Sequence, residues 1–258
     1  MLHRADSFLF FPVLSWVSIL FPPVMSERID NEAAFVLHSR PWRETSLIVD
    51  VLSRHHGRQG LVARGARRQR SGLKARLIAF QPLALSWFGK GQLRTLHAAE
   101  WQGGGLMLRG HALMCGFYLN ELLLRLLPEG DAHETLFDRY LATLDALNQT
   151  ADVEPVLRRF ELDLLSELGY AQPLGHLAGG GELEPARRYG YRIGEGVAPL
   201  GRDESGYLGK TLADLARGDL SDPATLAEGK LLMRGLLAHY LGDKPLATRQ
   251  LLIDLQKL

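Results

Sequence analysis

Hydrophobic periodicity changes once along this chain, near residue 105, and that change limits what it can fold into. Before it, apolar residues come in short alternating runs at 33–39, 45–53, 58–64, 83–88 and 93–99, separated by turn residues. After it the runs are long and repeat every three to four residues. The first pattern belongs to half-buried strands, the second to helices. An α+β chain follows, with a small β-barrel at 25–104 and an all-helical domain at 105–258, placed in series.

Within the first part, Arg40-Pro41 is expected to end the first strand, because proline lacks a ladder donor. His55-His56-Gly57 reads as a turn into the third strand, and Gly89-Lys90-Gly91 joins the last two. Residues 65–77 change character: Ala66, Leu73, Ala75 and Leu77 are spaced by Arg and Lys, as in a short helix or a loop. Three strands, a helical connection and two more strands is the order of the OB fold, a barrel often used on single-stranded nucleic acid. Other small β folds share such patterns, so order alone does not settle the matter.

Charge adds to it. Between Asp50 and Glu100 there is no acidic residue, yet ten basic ones occur: Arg54, Arg58, Arg64, Arg67, Arg68, Arg70, Lys74, Arg76, Lys90 and Arg94. The whole chain is +1, so the remainder, with 20 basic and 29 acidic residues, carries −9. Such segregation costs self-repulsion that a polyanion relieves. A solvated face with its counter-charges on the acidic C-terminal part is the other reading. Arg64, Arg67, Arg68, Arg70, Lys74 and Arg76 crowd the segment between the third and fourth strands as a basic rim. Trp42, Trp87 and Phe88 are candidate base-stacking platforms, and each also suits core packing. Trp42, expected in a loop after Pro41, is the best placed for exposure.

In the second part, 110–127 is apolar nearly all round and should be a central buried helix, ended by Pro128-Glu129-Gly130. A second helix covers 135–147. A third covers 155–168, with Pro155 in its first turn and Gly169 as its cap. On that helix Arg158, Glu161, Leu162 and Leu165 form a mixed stripe. It is either the edge of an amphipathic helix or a hydrophobic notch with a basic rim, suited to an acidic peptide ending in an apolar residue. Residues 170–205 are glycine-rich and irregular, a loop or small subdomain. Asp222-Pro223 opens a helix that runs to Leu241, and a last helix follows Lys244-Pro245.

Several chemistries are not supported. The one cysteine, Cys115, excludes an internal disulfide framework and a cysteine-rich zinc site, and it reads as a buried structural thiol. Gly209-Lys210-Thr211 resembles the end of a P-loop, but the position needing the first glycine holds Glu204, which repels phosphate. No His-Glu-x-x-His or Gly-x-Ser-x-Gly occurs, and Glu161 and Asp163 point in different directions. A binding protein is therefore expected rather than an enzyme, with no cofactor and no metal.

At the N-terminus, the apolar run 8–24 is 17 residues long and interrupted by Pro12, Pro22 and Pro23. That is short for a membrane span, and Pro22-Pro23-Val24 is no signal cleavage site. Met25 is the expected initiator, residues 1–24 are expected to be a non-native extension, and the protein is expected in the cytoplasm, off the membrane.

Five segments together resemble the bacterial recombination mediator RecO family: AFVLHSRPWRETSLIVDV at 34–51, LVARGARRQRS at 61–71, YLNELLLRLL at 118–127, LRRFELDLLSELGY at 157–170 and YLGDKPLATRQLL at 240–252. The likeness spans about residues 33–256. It implies an N-terminal OB domain and a C-terminal helical domain. It also implies binding of single- and double-stranded DNA, annealing of complementary strands, and work with RecR in loading RecA onto strands coated by single-strand-binding protein (SSB). Some members carry a four-cysteine zinc module after the third helix; 175–178 and its surroundings contain no cysteine, which resembles the zinc-free branch. In relatives the acidic, phenylalanine-ended SSB tail docks against an arginine of the LRRFE segment. The matching position is Arg158, with Leu157 and Leu162 beside it. Arg64, Arg67, Arg68, Arg70, Lys74, Arg76 and Trp42 are the expected DNA contacts. The alternative is a scaffold protein whose basic barrel pairs with an acidic protein.

Overall fold

A computed structural model describes residues 27–104, 106–171, 173–201 and 205–255, with side chains as far as residue 251. The expectation for residues 1–24 lies outside them. The first part is a closed five-stranded barrel: β1 (Arg28–Trp42), β2 (Ser46–Ser53), β3 (Gly57–Ala63), β4 (Leu83–Phe88) and β5 (Leu93–Trp101). Their order around it is β1-β2-β3-β5-β4, with β4 returning to β1 and β3 running parallel to β5. A single helical turn, α1 (Leu73–Arg76), stands between β3 and β4. This is the OB-like barrel that the run order suggested.

β1 is apolar without a break at 34–37 because both its faces are covered. Ala34 and Val36 point into the barrel with Val49, Leu61, Leu85 and Trp87. Phe35 and Leu37 belong to the helical core instead. The Phe35 ring lies 5.4 Å from that of Phe137 and 5.3 Å from that of Tyr140. Burying one such side chain contributes roughly 2–3 kcal/mol. The outer face of the barrel is thus the surface on which the helices rest.

The first strand does not stop at Arg40-Pro41. It continues to Trp42, which pairs with Ser46. β4 pairs only with the Arg28–Ala34 half of β1, so Pro41 stands in the half that has β2 alone as a ladder neighbour. A missing N–H is tolerated there. Trp42 is therefore the last residue of a strand rather than part of a loop.

The helical part comprises α2 (Gly110–Leu126), α3 (Glu134–Gln149), α4 (Glu154–Glu167), α5 (Gly209–Arg217), α6 (Pro223–Leu241) and α7 (Ala247–Leu255). Asp222 caps α6 by accepting from the Ala224 N–H at 2.9 Å, with Pro223 in the first turn. Between α4 and α5 the glycine-rich stretch holds a small sheet. β6 (Arg188–Arg192) lies between β7 (Gly196–Pro199) and β8 (Tyr207–Leu208). Tyr189 and Val197 anchor this sheet in the helical core.

Gly209 opens α5, and a Cβ there would stand 2.2 Å from the Glu184 carbonyl oxygen, so only glycine fits. The Leu208 N–H at this helix end donates to the Glu228 carboxylate at 2.9 Å. Lys210 holds Asp214 at 2.8 Å and also pairs with Asp222. Gly209-Lys210-Thr211 is thus a helix start fastened by carboxylates, not a phosphate cradle.

Two polar features lock barrel to helices. β1 bulges between Val36 and His38, which removes Leu37 from the ladder. Its carbonyl accepts instead from Asn120 Nδ2 at 2.9 Å, and Asn120 Oδ1 accepts from the Tyr140 hydroxyl at 2.5 Å. At the other end Arg58 donates from Nε to the Leu127 carbonyl at 3.0 Å and pairs with Glu129 at 3.4 Å.

Candidate nucleic-acid interface and anion pocket

The chain leaves β1 at Trp42 and turns through Arg43, which adopts the left-handed conformation (φ 50°), before entering β2. The Arg43 guanidinium carbon lies 5.9 Å from the centre of the Trp42 ring, within reach of a cation–π contact. Beyond β3, Gly65 (φ 68°) reverses the chain, and Arg68 folds back over it. Trp42, Arg43, Arg64 and Arg68 thereby converge on one open groove of about 880 Å³, bordered by Leu93 and Thr95 at the start of β5. Glu44 also borders it, a single acid among three cations.

Of the expected DNA contacts, Trp42, Arg64 and Arg68 line this groove. Arg67 does something different: its N–H donates to the Thr45 carbonyl at 2.8 Å, and its guanidinium donates to the Arg43 and Glu44 carbonyls at 3.3 Å. It braces the turn that forms the groove wall. Arg70, Lys74 and Arg76 lie outside the lining, along the loop and α1, with Arg76 donating to the Ala99 carbonyl at 3.4 Å. All six cations are exposed, and among the described residues none pairs with a carboxylate.

Arg54 and Arg58 are the exceptions within the acid-free stretch. Both sit at the junction and are paired, Arg54 with Asp138 and Glu134, Arg58 with Glu129. Counter-charges from the helical part thus neutralise the near end of the basic stretch and, among the described residues, leave the far end without carboxylate partners. Charge patterning alone does not mark Arg43, which is separated from the acid-free stretch by Glu44 and Asp50. Trp87 is buried in the barrel core against His56, which removes it as a platform. Phe88 is partly exposed but does not line the groove.

A second cavity, of about 540 Å³, opens among α2, α4, α6 and the α6–α7 connection. Its apolar lining includes Cys115, Leu157, Leu237 and Leu246, and its cations are Arg158, Lys230, Arg234, Lys244 and Arg249. Glu154 and Asp243 are its acids, and Glu154 is taken up by Lys230 at 2.6 Å. The α6–α7 connection is pinned from α2. Arg125 donates to the Leu241 carbonyl at 2.7 Å and the Pro245 carbonyl at 3.2 Å. Glu121 caps α7, accepting from the Ala247 N–H at 2.7 Å and the Thr248 N–H at 2.9 Å. A carboxylate at a helix N-terminus satisfies donors that would otherwise lack partners.

Arg158 is 6% exposed, yet it lines this cavity. Its Nη1 lies 2.5 Å from Oε2 of Glu161, which is fully buried, and its Nε has no hydrogen-bond partner. Glu161 Oε1 accepts from the Tyr118 hydroxyl at 2.6 Å. Burial raises the Glu161 carboxyl to about 7, outweighing the opposing pull of Arg158 and Tyr118. Leu157 lines the cavity, but Leu162 does not; it packs half-buried against the helical core. The mixed stripe read from the sequence therefore divides, with Arg158 at the cavity and Leu162 and Leu165 in the core. Burial pushes the Cys115 thiol up to about 11, as expected of an inert core cysteine.

Among the described residues no group of three or more His, Cys, Asp or Glu is placed to hold a metal ion. Nor is any helix there long and apolar enough to cross a membrane.

Comparison with known proteins agrees with this architecture. The family profile described as "Recombination protein O N terminal" matches residues 25–104, and "Recombination protein O C terminal" matches residues 107–250. The chain is similar to the protein named DNA repair protein RecO of Thiobacillus denitrificans, 51% identical over 241 residues, covering 90% of this chain and 94% of that one. It is equally similar to the protein of that name from Nitrosospira multiformis, 51% identical over 243 residues, covering 91% and 99%. The Aromatoleum aromaticum protein of the same name is 50% identical over 237 residues, covering 90% and 98%.

Proposed function

The chain belongs to the RecO family of DNA repair proteins, and from that premise we propose that it binds single- and double-stranded DNA through the barrel groove and anneals complementary strands. The observation that carries this reading is the set of exposed, unpaired cations around Trp42. Arg43, Arg64 and Arg68 neutralise phosphates inside the groove, and Arg70, Lys74 and Arg76 extend the path outside it. Trp42 offers a face for a base to stack on. Neutralising two strands at once removes the repulsion between them. Base pairing then supplies the free energy, so no nucleotide hydrolysis enters.

The cavity at Arg158 takes the acidic SSB tail, its apolar end on Leu157 and its carboxylates among the cations. Tethered in this way to coated strands, the protein works with RecR in loading RecA. These steps place it in the cytoplasm, on the nucleoid. The test is a fluorescent oligonucleotide titrated with the full chain, alongside a strand-annealing assay. Steeply salt-dependent binding with annealing supports the reading, and absence of binding at low salt contradicts it.

A further inference from the structure

The arginine of the anion pocket is not free. A buried carboxylate of its own helix already holds it, at 2.5 Å, and that carboxylate has Tyr118 as its other partner. An arginine fork can serve two carboxylates, and Arg158 retains an unsatisfied Nε while lining the cavity. We infer that Glu161 is the positioning residue of this pocket: it fixes the Arg158 guanidinium for a chain-terminal carboxylate, and it takes up a proton as that carboxylate arrives. This rests on the tail-docking reading above and goes beyond it by naming a proton as co-ligand.

The physics is like-charge competition. An incoming carboxylate at Arg158 withdraws part of the attraction that keeps Glu161 ionised and adds its own repulsion. Burial already raises the Glu161 carboxyl to about 7. Binding therefore raises its affinity for a proton further, and by linkage the ligand binds more tightly as the pH falls. Two other charged groups act on Glu161. Glu154 stands on the same helix and opposes ionisation, while Lys230 on α6 favours it. Arg249 on α7 acts on Tyr118. His111 of α2 also lines the cavity, so it is the competing explanation for any pH effect.

The experiment measures fluorescence anisotropy of a labelled acidic peptide ending in phenylalanine with a free carboxylate, bound to the full chain between about pH 6 and pH 9. In the wild type the affinity rises as pH falls toward 7, by up to about tenfold per pH unit, and levels off below. Glu161→Gln flattens the profile. Tyr118→Phe, which removes a hydrogen bond to the ionised form, moves the break to higher pH and serves if Glu161→Gln does not fold. A flat wild-type profile overturns the proposal, and so does the same slope in wild type and Glu161→Gln, which moves the effect to another group. A peptide that binds at no pH overturns the tail-docking reading itself, and this proposal with it.

Discussion

The Arg54 guanidinium lies 2.8 Å from the Asp138 carboxylate, across the junction between the barrel and α3. It marks the boundary between two uses of positive charge. On the junction side, Arg54 and Arg58 are matched to acids of the helical part. On the groove side, Arg64 and Arg68 are exposed and, among the described residues, have no carboxylate partner. Both partners of the Arg54–Asp138 pair are largely exposed, so the pair contributes less than about 1 kcal/mol. Asp138→Asn should therefore change the denaturation midpoint little and leave oligonucleotide affinity unchanged. A marked loss of DNA binding in this variant would show that charge at the junction matters more than the groove.

Trp42 and Trp87 should separate function from fold. Trp42→Ala removes a stacking face and should weaken single-strand binding by about 1–3 kcal/mol with little change in thermal stability. Trp87→Ala opens a cavity in the barrel and should cost about 3–5 kcal/mol of stability. Melting curves and anisotropy on both variants decide this. Equal binding by Trp42→Ala and wild type would remove Trp42 from the interface.

Asn120 satisfies the carbonyl that the β1 bulge leaves open. Asn120→Leu strands that carbonyl and the Tyr140 hydroxyl inside the core, at a cost of about 1–3 kcal/mol. Urea unfolding measures it, and an unchanged midpoint would mean that the bulge finds another donor.

The strand and helix order was legible because each buried face repeats at its own period. The unbroken run at 34–37 concealed something more specific, namely that alternate residues of β1 serve two different cores. Only the packed structure shows which neighbour covers which face. The small sheet of β6, β7 and β8 was hidden because its short strands lie among glycines and leave too few side chains to alternate. At the groove, charge counting found Arg64 and Arg68 but could not separate them from Arg67, whose guanidinium is spent on backbone carbonyls. Arg43 escaped because its role comes from a turn with positive φ, not from its neighbours in a charge run. Asn120 did leave a trace, as the one amide side chain of α2.

Glu161 should also leave a mark on stability. Its folded carboxyl titrates near 7 against an ordinary 4.5. Between those values the folded state holds more proton than the unfolded state, so stability falls as pH rises through that window. The slope from this one group is at most about 1.4 kcal/mol per pH unit. Melting temperatures from about pH 5 to pH 7.5 should therefore decline more steeply for the wild type than for Glu161→Gln. Parallel profiles would contradict the assignment.

A groove that grips backbone phosphates makes oligonucleotide binding depend steeply on salt. Oligonucleotide affinity should be measured across a range of salt concentrations for the wild type and for Arg64→Glu combined with Arg68→Glu. With about six phosphates contacted, the wild-type slope of log affinity on log salt should be roughly −4 to −5, and the double variant should be weaker with a slope shallower by about 1.4. Binding that ignores salt, or a double variant that matches the wild type, would contradict the account.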